Sequence, residues 1–70
     1  MKYIRDDKLE EVLPILARNS AYGIDLYDNV SRTIIDTNSP NFRIHDYRVV
    51  EVRMNDLTLK YQVFVVRKEK

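Results

Sequence analysis

Leu9, Val12, Leu13 and Leu16 recur at i, i+3, i+4 and i+7, the spacing that lines one stripe of an amphipathic helix. Asp7-x-x-Glu10 resembles a capping box at its start, with Asp7 accepting amide hydrogens and Glu10 reaching back. Acidic residues crowd the first turn and Arg18 stands in the last, as a helix dipole prefers. Pro14 interrupts the stripe. It removes the amide that would bond the Glu10 carbonyl, a loss of about 3 kcal/mol in a helix interior, and predicts a kink or a break there. Asn19-Ser20 and Gly23, the only glycine, mark the end of the helical region.

Further along, the period changes from three or four to two. Tyr47 to Arg67 reads as one long β-hairpin with its turn at Asn55-Asp56. Pairing outward from that turn sets Met54/Leu57, Val52/Leu59, Val50/Tyr61 and Arg48/Val63 on one face. The other face collects Arg53/Thr58, Glu51/Lys60, Val49/Gln62 and Tyr47/Phe64. A slip of one residue would mix apolar and charged positions on both faces. The strand leading into the hairpin is expected to begin at Phe42, after a Thr37–Asn41 loop rich in turn formers.

Between helix and hairpin, Ile24–Thr37 carries two patterns. Leu26, Val30, Thr33 and Ile34 share a helical face, with Asp25 in position to cap it. The β-branched cluster Val30, Thr33, Ile34, Ile35 and Thr37 favours a strand over Arg32–Asp36, while Ile24–Tyr27 stays open. A hairpin alone is marginal in water and needs a third strand or a helix against it. The expected fold is therefore a single α+β domain spanning 1–70: an N-terminal amphipathic helix packed on a small antiparallel sheet of three to four strands, ending in the long C-terminal hairpin.

Composition narrows the function classes. A chain of 70 residues buries only about 60% of its unfolded surface, so its stability margin is thin. Hydrophobic content of 44% and charged content of 33% suit a folded domain. The absence of cysteine excludes disulfides, thiolate metal sites and cysteine nucleophiles, and points to a reducing, cytoplasmic setting. No apolar run approaches the ~20 residues of a membrane span, and the acidic turn at Asp6-Asp7 is unlike a signal peptide. Net charge is +1; residues 1–42 hold five basic against seven acidic groups, and residues 43–70 hold seven against four. The hairpin half is the basic half.

Catalytic patterns are thin. The one histidine, His45, neighbours Asp46, but consecutive strand residues point to opposite faces, so they would not form an orienting pair. A single glycine makes no phosphate-cradling loop, and no spacing suggests a metal or cofactor. The second hairpin face is the suggestive surface, with Tyr47 and Phe64 as central rings and Arg43, Arg53 and Lys60 as steering cations. Rings flanked by cations suit a protein contact or a single-stranded nucleic-acid platform. The same rings with Val49 and Val66 also suit a minor core beneath Ile24–Thr37.

The run Phe42-Arg43-Ile44-His45-Asp46-Tyr47-Arg48-Val49-Val50, followed by Val65-Val66-Arg67-Lys68, resembles the C-terminal sheet of RelE/ParE-type toxins. That resemblance covers under half the chain and implies Arg48 and Arg67 as phosphate contacts. The chain departs from the pattern in lacking the first strand, the full helical hairpin and the terminal tyrosine of the cleaving members. The reading of the residues themselves is a small non-catalytic domain, of the kind encoded by phages and mobile elements. It would act by occupying a protein partner or a second copy of itself, with nucleic acid as the alternative. No membrane or small-molecule substrate is implied.

Overall fold

The computed structural model describes residues 7–68. Strand β1 (Asp7–Lys8) runs directly into helix α1 (Leu9–Asn19), followed by strand β2 (Ile24–Asp28), a 3-10 turn (Ile44–Asp46), strand β3 (Tyr47–Met54) and strand β4 (Tyr61–Arg67). The fold is α+β, one helix against one sheet. Strand order is β1-β3-β4-β2. β3 is antiparallel to both β1 and β4, whereas β2 joins β4 in parallel, so the sheet is mixed rather than wholly antiparallel. β1 and β2 consequently run the same way at opposite edges, with the β3–β4 hairpin inserted between them. The helix linking them must cross one face of the sheet, as in a split β-α-β unit.

That crossing seats the apolar stripe. Leu9 and Leu16 are buried against Leu26, Tyr47, Val49, Val63 and Val65, with Val12 and Leu13 packed beside them. The helix is continuous through Pro14, which lies exposed; the expected break does not occur. Nor does the capping box form. Asp7 belongs to β1, and the cap position is Lys8, extended and without a side-chain cap bond. Glu10 instead turns across the molecule, where its carboxylate meets His45 Nδ1 at 3.1 Å and Lys68 Nζ at 3.4 Å. The helix thereby ties to the 3-10 turn and to the residue following β4. After Asn19 the chain reverses at Gly23, whose φ of +105° is a conformation open to glycine at little cost. Ser20 Oγ braces that reversal, accepting the Gly23 amide at 2.7 Å.

The hairpin exists but its register differs from the expected one. Met54 pairs with Tyr61, Val52 with Val63 and Glu51 with Phe64. The connection is a longer loop in place of a tight two-residue turn. Asn55 accepts the Leu57 and Thr58 amides on its side-chain oxygen at 2.9 and 3.3 Å, and its own amide donates to the Lys60 carbonyl at 2.9 Å. This slides the pairing by four residues. An even slide leaves every side chain on its original face, so period-two patterning is blind to it.

A second difference does change faces. The register shifts between Val49 and Glu51, leaving Val50 as the extra residue of a β-bulge. Below the bulge, Val49 opposes Val65 and Tyr47 opposes Arg67. Tyr47 and Val49 thus move to the helix side, away from Phe64. The expected Tyr47/Phe64 pair does not form.

Two segments expected as strands are not. Phe42 precedes a 3-10 turn instead of opening β3, because the chain folds over at Ile44–Asp46; Phe42 stacks on Tyr47 at 5.7 Å. Ile24–Asp28 is the strand of its region, and Arg32–Asp36 contributes only an isolated bridge, Ile34 to Tyr27. The Ile35 amide still donates to the Leu26 carbonyl at 2.7 Å, and Asp28 N to Thr33 O at 2.8 Å, so this return covers the outer edge of β2.

Leu59 sits at φ +59° in the hairpin loop, a left-handed conformation costing a branched residue roughly 1–2 kcal/mol. Leu59→Gly should therefore stabilise the domain by about 1 kcal/mol, read as a higher urea midpoint at unchanged slope. The Glu10 carboxyl is held down at about 2 from an ordinary 4.5, first by the hydrogen bond from His45 and then by its own backbone amide and by Lys68, against the opposing pull of partial burial. A carboxylate whose folded pKa lies below its unfolded value stabilises fully above the unfolded pKa and loses that contribution as pH falls through the folded one. The stability gap between wild type and Glu10→Gln should accordingly be complete above pH 4.5 and close as pH approaches about 2, measured as urea midpoints across acid pH.

Candidate functional site

The sheet has two unlike sides. One side carries α1. On the other, alternation along β4 places Gln62, Phe64 and Val66, and the register brings Asp25 and Tyr27 of β2 beside Gln62 and Phe64. β3 adds Glu51 and Arg53 next to Phe64 and Gln62, and Arg48 next to Val66; Lys8 of β1 lies opposite Arg48. No helix of the described residues covers this side.

At its centre Tyr27 and Phe64 stack, ring centroids 5.2 Å apart and planes inclined by 23°. Such a pair contributes about 0.5–1.5 kcal/mol beyond its burial. Two guanidiniums close over Phe64. Arg32 Cζ stands 4.4 Å from the ring centroid and Arg53 Cζ 5.4 Å. Phe64 is left only 5% exposed, although no helix or strand of the described residues lies above it. Arg53 is also paired with Glu51 through its Nε.

Arg32 reaches this place by an unusual backbone. Its φ is +62°, in the left-handed region that penalises side chains other than glycine and asparagine. The surrounding turn imposes it. Asp28 Oδ1 accepts the Val30 and Ser31 amides at 2.8 and 3.3 Å, the Arg32 amide donates to the Asp28 carbonyl at 2.8 Å, and the Asn29 amide is anchored to Val65 O at 2.8 Å. Arg32 Nη1 then donates to Asn29 Oδ1 at 2.9 Å, which sets the fork over the ring.

Of the five residues singled out from sequence, the fold brings together Arg53 and Phe64. Tyr47 is a core residue on the helix side, stacked on Phe42 and overlain by Arg67 at 5.5 Å. Arg43 is exposed at the start of the 3-10 turn, and Lys60 closes the hairpin loop through its carbonyl. Tyr27 and Arg32 complete the cluster and were missed. Tyr27 had a signal in the alternation Ile24-Asp25-Leu26-Tyr27, whose odd members face away from the helix. Arg32 had none, since nothing in its neighbours announces a left-handed arginine. Arg48 and Arg67, the pair implied by the toxin resemblance, fall on opposite sides of the sheet, opposite Val66 and Tyr47 respectively.

The remaining polar clusters are occupied by local structure. His45 faces Glu10, and Asp46 faces Arg67 at 3.7 Å, so these neighbours part as alternation implied, though on a 3-10 turn. The shallow groove beside Tyr47 is rimmed by Asp36 and Ser39, which accept the Asn38 and Asn41 amides of their own turns. Among the described residues no group of three or more His, Cys, Asp or Glu is placed to hold a metal ion, and no helix is long and apolar enough to cross a membrane. Compared with protein-family models, curated proteins and solved structures, the chain matches none.

Proposed function

We propose that this is a non-catalytic binding domain of a reducing, cytoplasmic setting that works by occupying the surface of another protein. The contact surface is the helix-free side of the sheet. The observation that carries this reading is the Tyr27–Phe64 stack roofed by Arg32 and Arg53 on a face that no helix of the described residues covers. Tyrosine, phenylalanine and arginine are the side chains that anchor protein interfaces, because they bury much area at little loss of conformational freedom.

The same geometry makes a base-stacking platform the weaker reading. Nucleic-acid platforms present flat ring faces for bases to lie on. Here one ring face is turned to the other ring, and the guanidiniums cover Phe64. A base would have to displace Arg32 before it met the ring. Protein contact asks for no such displacement. The partner is either a different protein or a second copy of this chain, and a mass measurement in solution separates the two.

The site-specific test is photocrosslinking in the native host. A photoreactive phenylalanine analogue at Gln62, on the open side, should yield a discrete protein adduct; the analogue at Ile15, exposed on the outer side of α1, should not. Equal adducts from both positions, or an adduct that nuclease removes, would refute the assignment.

A further inference from the structure

Resting on that reading of the open side as a contact surface, we infer that its partner is an acidic protein segment, one of whose carboxylates is received by Arg32. Among the described residues, the cations Lys8, Arg32 and Arg53 lie on or over this side together with the carboxylates Asp25 and Glu51.

Among these cations Arg32 is the distinctive group. Arg53 already has Glu51. Arg32 meets no carboxylate among the described residues; its one side-chain acceptor is the neutral Asn29 Oδ1. Its guanidinium uses five donors in a rigid fork that matches a carboxylate with two parallel bonds. The left-handed backbone and the Phe64 ring together fix that fork in advance, so little rotamer freedom remains to be lost when a carboxylate arrives. Strained backbone persisting at an exposed arginine is the kind of feature that concentrates in ligand clamps.

The interspersed acids select among anions. Asp25 and Glu51 stand on the same side as the cations, and a densely charged phosphate backbone would be driven against both. An acidic protein segment instead offers isolated carboxylates separated by apolar side chains. Those apolar groups meet Tyr27 and Val66, both half-buried and covered by no helix of the described residues.

The test titrates the full chain with a synthetic peptide of alternating glutamate and leucine, followed by NMR. Its glutamine counterpart and oligo-dT are run beside it. The glutamate peptide should shift the Tyr27, Phe64 and Arg32 Nε resonances. Arg32→Asn, chosen because asparagine tolerates the left-handed backbone, should weaken binding about tenfold, the loss of one charge-assisted hydrogen-bonded pair. Arg43→Gln, remote from the cluster, should leave the affinity unchanged, and the thermal midpoint of each variant checks folding. Equal binding of the glutamine peptide to the same residues would overturn the acidic partner while sparing the contact surface. Shifts confined to the helix side, or none on the open side with either peptide, would overturn both. Preferential oligo-dT binding with a steep salt dependence would assign the surface to nucleic acid instead.

Discussion

One extra residue in β3 decides what each side of the sheet is. Without the bulge at Val50, strict alternation would put Tyr47 and Val49 on the side of Glu51 and Arg53. With it, both side chains pass to the helix side, where Val49 is wholly buried and Tyr47 nearly so. A domain this small has few side chains with which to build a core, so two of that size are a large share of it. The helix can seal one face only because the bulge supplies them, and the other face is correspondingly stripped of apolar bulk.

What remains on that second face is a compromise between folding and contact. β4 is central, and its run Val63, Phe64 and Val65 is buried in succession, so it requires cover on both sides. On the helix side the cover is aliphatic. On the other it is a tyrosine and two guanidiniums, amphipathic groups that shield a ring while keeping polar edges in water. Cover of this kind presents its polar edges to a partner without uncovering the ring beneath. It also explains how Phe64 is buried on a side where the described residues form no second layer.

How much of this was legible beforehand follows from which signals are periodic. The stripe Leu9, Val12, Leu13, Leu16 identified the helix and its packing face, and alternation over Tyr47–Arg67 identified two paired strands. Period two cannot report a slide of four residues, and so the loop at Asn55–Lys60 was read as a tight turn. Nor can it report a bulge, which is a single departure from period that apolar Val49 and Val50 side by side conceal. The error propagated to the site: Phe64 and Arg53 were placed correctly on one side, and Tyr47 was not. Glu10 was read as a local cap because its partners, His45 and Lys68, are distant in the chain. Arg32 owes its position to a turn set by Asp28, and no pattern in the sequence signals a left-handed backbone at a charged residue.

The order of the strands has a consequence for how the chain comes to be folded in a cell. β4 lies between β2 and β3, yet it follows both in the chain. As the polypeptide emerges from a ribosome, β2 must wait without its strand neighbour, and the sheet lacks one of its two middle strands until β4 arrives. Closure is a late and concerted event, joining segments some forty positions apart (Asp7 with Val49, Ile24 with Tyr61), the arrangement that slows folding and lengthens the interval in which a chaperone has something to hold.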